Sequence, residues 1–479
     1  MKLSNPVFEC AIDDDKGYSF EKIESYVCRV ALLIQQNSKD LGRQLRIVTA
    51  FPSRLQNMVV IYACAAMRAM YVPVDLQQPA SRLQTILEDV RPDLVFTSRE
   101  SIKWEESCSH LDWEDIERAP LMLSIRLNTI LDIRDEDADK IMAVLFTSGS
   151  TGLPKGIALS YRSVIAFVDA MIATFDLNKG DRIASLAPFH FDLSFFDLFA
   201  SLRACATVYF VPELLKMAPY DFVNWLYQNQ ITHMYTVPSF LKILILKGKL
   251  ERYVFDILRI VMFAGECFGL KYLRSLVQLI PQTKLYNLFG PTETNVCCYW
   301  EVDREEIKQL EEVPIGKPLQ FSEVCIDPEN QELLVRGPQL MSGYLIKGQL
   351  IDLQMPDKWY RTGDRVVEGP KGSLLFRGRL DRMIKRNGHR IEPLEIEAHL
   401  MQNSQVEDAY VWSAMNREIT TICAAIARGD RGIGAIELRR WLKGRVPTYL
   451  EVDRFVFFER FPQLSNGKRD LIKIKNSIK

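Results

Sequence analysis

No stretch of this sequence is apolar for long enough to cross a bilayer. The most hydrophobic run, residues 59–74, is interrupted by Arg68 and falls short of the roughly 20 residues a membrane helix needs. The opening residues, MKLSNPVFECAIDDD, hold one lysine and no apolar segment of signal-peptide length, so the expected location is cytoplasmic. An excess of charge of one sign is also missing. Lys plus Arg number 60 against 61 Asp plus Glu, a balance that supports neither a nucleic-acid nor a membrane-surface partner. The 10 cysteines form no C-x-x-C pair, and Cys297 and Cys298 are adjacent. That spacing suits neither zinc nor an ordinary disulfide, so free thiols are expected. The five histidines, at 110, 190, 233, 389 and 399, give no metal-ligand spacing either. The G-x-x-x-x-G-K-[ST] loop of the common nucleotide-hydrolysing enzymes is not present.

What is present is an ordinary globular composition, 48% hydrophobic and 25% charged, over 479 residues. That length exceeds what one hydrophobic core usually serves, so at least two domains are expected. Residues 19–37 have a helical period and 57–70 read as a second helix. Short strands are expected at 92–97, 183–187, 206–211, 231–237 and 258–264, with helices between them. Such alternation implies an α/β fold of mostly parallel sheets covered by helices. After about residue 314 short strands separated by Gly and Pro read as a small β-rich, barrel-like subdomain. A compact α+β piece follows. The expected division is a large domain of residues 1–380 and a small one of 381–479.

The strongest local signal is residues 145–156, LFTSGSTGLPKG. An apolar strand at 141–146 runs into ten residues, 147–156, that carry four hydroxyls and three glycines. Glycines let backbone N–H groups approach an anion, and successive donors form a nest for phosphate oxygens. Thr147, Ser148, Ser150 and Thr151 add hydroxyls, Gly149 and Gly152 open the backbone, and Lys155 adds a positive charge.

TSGSTGLPKG resembles the signature of the adenylate-forming superfamily, which includes acyl-CoA synthetases, luciferases and nonribosomal adenylation domains. Further motifs follow in family order: Tyr71-Val-Pro-Val-Asp75, Phe191-Asp-Leu-Ser194, Asn287-Leu-Phe-Gly-Pro-Thr-Glu-Thr294, Tyr360-Arg-Thr-Gly-Asp364, Gly378-Arg-Leu-Asp381, Lys385-Arg-Asn-Gly-His-Arg-Ile-Glu392 and Asn466-Gly-Lys-Arg-Asp470. The resemblance spans residues 18–472. It implies a large adenylating domain, a mobile C-terminal lid, ATP and Mg²⁺. It further implies that Lys468 bridges the carboxylate and the α-phosphate, that Glu293 holds Mg²⁺, and that Thr292 contacts the α-phosphate. Asp364 accepts the ribose hydroxyls with Arg379 nearby, Phe289 stacks on adenine where the family generally has Tyr, and Asn287 meets the adenine amino group. Asp381 matches the hinge, and the loop around Gly388 matches the lining of a thiol tunnel. In adenylation neither the carboxylate nucleophile nor the pyrophosphate leaving group needs a proton moved; the demand is electrostatic, for cations and donors around phosphorus.

Asp192 is the discriminating residue, because the amino-acid-activating branch pairs an Asp here with the substrate ammonium. A helix cap is the structural alternative. Aligned pocket positions are Leu193, Phe196, Tyr235, Met262, Ala264, Leu288, Val296 and Cys297, none of them charged. The set resembles that of free-standing prolyl–carrier-protein ligases of nonribosomal, secondary-metabolite pathways, so L-proline is the expected substrate. A D-alanine–carrier-protein ligase and an acyl-CoA ligase are the alternatives. No carrier segment follows the last motif, so a phosphopantetheinylated carrier protein in trans is the expected acceptor. Arg439, Arg440, Lys443 and Arg445 form a basic cluster that reads first as a solvated helix face and, as the alternative, as a surface for an acidic carrier helix.

Overall fold

A computed structural model of the chain describes residues 9–14, 16–37, 42–98, 108–148, 154–353, 356–416, 419–428, 432–462 and 469–477. Gly149, Ser150, Thr151, Gly152 and Lys468 lie outside the described residues. The chain divides into two compact units: Met1–Leu76, Asp89–Leu145 and Gly156–Leu380 in the first, Gln77–Glu88, Phe146–Lys155 and Asp381–Lys479 in the second.

The first unit is built on two large sheets. One runs in the order Lys317–Pro318, Cys298–Glu301, Lys284–Phe289, Ile260–Phe263, His233–Thr236, Arg182–Ser185, Thr207–Phe210, Glu9–Asp13, Lys16–Ser19. The strands from Lys284–Phe289 to Glu9–Asp13 are parallel. The edges are antiparallel. In the other sheet Met70–Pro73, Arg46–Ala50, Leu94–Thr97 and Ser109–Leu111 pair in parallel, and Gly343–Ile346 adds antiparallel beside Pro154–Ser160. Parallel strands covered on both faces read as continuous apolar runs, and Ile260–Phe263 (IVMF) is buried throughout.

Alternation within those strands separates two cores. Tyr235, Met262, Tyr286 and Leu288 join one cluster. Met234, Val261, Phe263 and Leu285 join another. Side chains in a strand alternate between faces, so a slip of one residue would exchange the two sets.

The helix expected at 57–70 is instead Arg54–Ala66. Ser53 caps its start, with its hydroxyl accepting from the Gln56 N–H at 3.4 Å. The helix stops where Arg68 adopts φ +55°, and Met70–Pro73 begins the next strand. The first turn, RLQN, is polar except for Leu55, which stands at helical spacing from Met58, Val59 and Tyr62 and is buried with them. The segment after residue 314 folds as a four-stranded antiparallel sheet of Glu323–Ile326, Glu332–Arg336, Tyr360–Glu368 and Leu374–Arg379.

The second unit holds a hairpin of Ile384–Arg386 and His389–Ile391. It also has a three-stranded sheet of Asp408–Asn416, Ile419–Ala427 and Arg454–Phe458. Helices Pro393–Met401 and Ala435–Leu442 pack on its apolar core through Ile396, Leu400, Leu438 and Leu442. Among the described residues no helix is long and apolar enough to cross a membrane.

Candidate active site

The carboxyl ends of parallel strands are where open α/β sheets present ligand-binding residues. Tyr235 lies directly beside Met262 on adjacent strands, and Ala264 follows at the strand end. Phe196 packs edge-on against Tyr235, with ring centroids 6.1 Å apart at 87°. Phe196, Tyr235, Met262, Ala264, Leu288 and Val296 belong to one apolar cluster, with Leu193 packed against it. Cys297 does not join them. Its thiol faces the Phe289 carbonyl at 3.4 Å, in a separate cluster with Phe289 and Cys298.

Asp192 sits in a tight turn ahead of these residues. The Phe195 N–H donates to the Asp192 carbonyl at 3.0 Å, and Ser194 Oγ donates to the Phe191 carbonyl at 2.6 Å. Ser194 and Phe195 begin a helical segment that continues as the π-turn Phe196–Ala200. Asp192 is half-buried. Burial pushes its carboxyl up to about 6, opposed by hydrogen bonds from the Thr292 hydroxyl and the Leu193 N–H, with the Glu293 charge pushing in the same direction as burial.

Thr292 and Glu293 lie in the turn Thr292–Thr294, after the strand Lys284–Phe289. That turn folds back sharply. A Cβ at Gly290 would meet the Asn295 carbonyl oxygen at 1.8 Å, so only glycine fits. Asn295 itself adopts φ 49°, ψ −160°, a conformation that costs on the order of 1–3 kcal/mol. Its side chain donates to the Gln339 carbonyl at 3.2 Å. Glu293 is buried, its carbonyl accepts from the Met341 N–H at 2.9 Å, and the Tyr344 hydroxyl stands 3.5 Å from Glu293 Oε1. Asn287 Nδ2 donates to the Pro314 carbonyl at 2.7 Å, and Phe289 lies 5.8 Å from Phe376, centroid to centroid.

Asp364 and Arg379 face each other across neighbouring strands. Asp364 is fully buried. Its Oδ1 accepts from Arg379 Nη1 at 2.8 Å, while Oδ2 has no hydrogen-bond partner among the described residues.

The remaining expected residues belong to the second unit. Thr147 and Ser148 end the strand Ile141–Ser148, and Lys155 is half-buried. Asp381 Oδ1 accepts from the Met383 N–H at 3.1 Å. Gly388 has φ +76°, which suits the hairpin turn it occupies. Arg439, Arg440, Lys443 and Arg445 are exposed, but Arg445 lies over the Trp441 ring at 3.8 Å and Arg439 donates to the Asp453 carbonyl at 2.7 Å. All ten cysteines are unpaired.

Fold and sequence together define the class: residues 4–345 match the AMP-binding enzyme family, and the chain belongs to it. Among its relatives it is similar to the L-proline--[L-prolyl-carrier protein] ligase of Pseudomonas fluorescens, at 32% identity over 98% of this chain and 95% of that protein. It is also similar to the D-alanine--D-alanyl carrier protein ligase of Staphylococcus haemolyticus, at 27% identity over 99% of this chain and 97% of that protein. The fold is shared with the Vibrio cholerae adenylation domain AlmE solved with glycyl-adenosine-5'-phosphate, with a TM-score of 0.81 and 21% identity, covering 98% and 95% of the two chains.

Gly290, Asn295 and Tyr344 were not singled out from the sequence. Gly290 lies inside a motif that was, and its fixed place between Phe289 and Pro291 was the available signal.

Proposed function

We propose that this enzyme activates an amino acid, L-proline in preference to others, as its adenylate and transfers the aminoacyl group to the phosphopantetheine thiol of a carrier protein. The observation that carries the reading is Asp192. It is the carboxylate whose charge acts on Tyr235, a member of the uncharged cluster with Phe196 and Met262, and its environment opposes the charge. A substrate ammonium would restore that charge with a directed partner. Proline's secondary ammonium carries two donors, and its compact ring suits space narrowed by three bulky side chains. The named activities of the two carrier-protein ligases support the same class.

In the first half-reaction the amino-acid carboxylate attacks the α-phosphate, forming the C–O–P linkage as the bond to the β-phosphate breaks and pyrophosphate leaves. Loop 147–156 supplies donors to the phosphates, and Lys468 neutralises charge between carboxylate and α-phosphate. Asp364 fits the ribose, because its buried Oδ2 has acceptor capacity left. The Asn287 amide, with Nδ2 engaged by Pro314, leaves Oδ1 to accept from the adenine amino group, and Phe289 gives adenine a face. Mg²⁺ takes one or two carboxylates and otherwise phosphate and water. Glu293, with Thr292 beside it, fits that donor set, and the ion would supply charge stabilisation at the phosphates. In the second half-reaction the thiol attacks the acyl carbon and AMP leaves. Amino-acid-dependent exchange of pyrophosphate into ATP tests the reading.

A further inference from the structure

The segment that carries Asp192 is bracketed by a polar cluster to which the proposed adenylation chemistry gives no role. Ser185 ends the strand Arg182–Ser185, and Asp197 lies in the π-turn Phe196–Ala200. Between them runs the whole segment that carries Asp192. Ser185 Oγ donates to Asp197 Oδ2 at 2.7 Å, so this segment is closed at its base by one hydrogen bond. Both residues are fully buried.

Arg54 completes the arrangement from another element, the first turn of helix Arg54–Ala66. Its Nη1 donates to the Ser185 carbonyl at 2.6 Å. Its Nη2 donates to Ser185 Oγ at 2.8 Å and to the Ala187 carbonyl at 2.6 Å. The guanidinium also lies over the Phe189 and Phe210 rings, at 4.9 and 5.3 Å. One cation thus holds three acceptors and a ring on the ascending side of the segment, while Asp197 fixes the descending side. Asp197 Oδ1 has no hydrogen-bond partner among the described residues. A buried carboxylate kept with one oxygen unsatisfied is costly, and π-turns recur at functional sites.

We infer that Arg54, Ser185 and Asp197 form a brace whose role is to hold the Asp192 turn at the distance and angle an amino-acid ammonium requires. This rests on the amino-acid reading of Asp192. None of the three touches substrate; they are positioning residues. Burial pushes the Asp197 carboxyl up to about 7, with Ser185 and Arg54 opposing it, as expected of a group retained for geometry against its own solvation.

The test uses the full-length enzyme and three variants: Ser185→Ala, Asp197→Ala and Asp197→Asn. Backbone hydrogen exchange should accelerate at residues 186–194 in both alanine variants and stay unchanged in the strand His233–Thr236. In pyrophosphate exchange the KM for the amino acid should rise by about tenfold or more, with the KM for ATP unchanged. Asp197→Asn, which keeps an acceptor for Ser185, should recover most of that loss. Ser185→Ala removes one hydroxyl and keeps the core volume, so it reads the brace even where Asp197→Ala unfolds. Unchanged exchange at 186–194, or equal rises in both KM values, overturns the brace. A wild-type enzyme that exchanges pyrophosphate with no amino acid overturns the substrate reading instead, and the hydrogen-exchange result still decides the brace.

Discussion

The Asp192 carboxyl, raised most by burial, is lowered by the Thr292 hydroxyl and raised by the Glu293 charge, so the turn that carries Asp192 lies close to the turn Thr292–Thr294. The residue proposed to meet the substrate ammonium and the residue proposed to hold Mg²⁺ are therefore neighbours. A change at Asp192 is a test of amino-acid recognition only when nucleotide binding is measured beside it.

Replacing Asp192 by Ala is expected to abolish amino-acid activation while leaving equilibrium ATP binding within about twofold. Removing one partner of a buried charge pair costs about 2–5 kcal/mol, so kcat/KM for the amino acid should fall by at least about 30-fold. Calorimetric titration with ATP alone is the control. A large loss of ATP affinity would make Asp192 a structural residue.

The pH profile should carry the same signature. Burial raises the Asp192 carboxyl to about 6, and only its ionised form pairs with an ammonium. The kcat/KM for the amino acid should therefore decline as pH falls through about 6, and the KM for ATP should not follow it. Stability runs the other way. A carboxyl whose folded value is raised contributes stability below its unfolded value, and that contribution is lost as pH rises through the folded one. Asp192→Asn should accordingly raise the unfolding temperature of the ligand-free enzyme at pH 8 and leave it unchanged at pH 4. An equal effect at both pH values would contradict this origin.

Gly290→Ala should disable adenylation without unfolding the protein. The new methyl would fall 1.8 Å from the Asn295 carbonyl, so the Thr292–Thr294 turn must move. Circular dichroism should stay native while pyrophosphate exchange drops by about a hundredfold, the loss that misplacement near 1 Å produces. Wild-type activity in this variant would show that the turn adapts freely.

Lys468→Ala should separate the half-reactions. Adenylation should fall steeply, while thioester formation from chemically supplied prolyl-adenylate should persist. Equal loss in both steps would remove Lys468 from its assigned role.

Much of this architecture is written in local patterns. The parallel strands appear as short apolar runs, and IVMF at 260–263 could be little else once turn residues bounded it. The strand holding Tyr235 shows in the βα alternation and Tyr235 itself in the family resemblance, and the structure puts it on the same face as Met262. The brace was not legible. Arg54 and Ser185 are 131 residues apart, and Asp197 within SFFDLF reads as the polar side of an ordinary amphipathic turn. The helix begins at Arg54, ahead of the expected start, because Leu55 already belongs to its buried face while the Arg54 side chain reaches the distant Ser185 and Ala187 carbonyls. The family resemblance places Cys297 in the pocket beside Val296, whereas the two residues join different apolar clusters. The strained Asn295 sets the direction of the chain there, and strain at one residue leaves no periodic trace.

The most direct test of the account is a pyrophosphate-exchange panel of all proteinogenic amino acids with D-alanine added. Proline differs from alanine by two or more ring methylenes, each worth about 0.8 kcal/mol when buried, so L-proline should lead D-alanine in kcat/KM by about tenfold or more. Phenylalanine should be refused, because overpacking a fixed pocket costs about 1–3 kcal/mol. A panel led by L-proline is the predicted result. One led by D-alanine or by a large aromatic acid would contradict the assignment of Phe196, Tyr235 and Met262 as the walls that select the substrate.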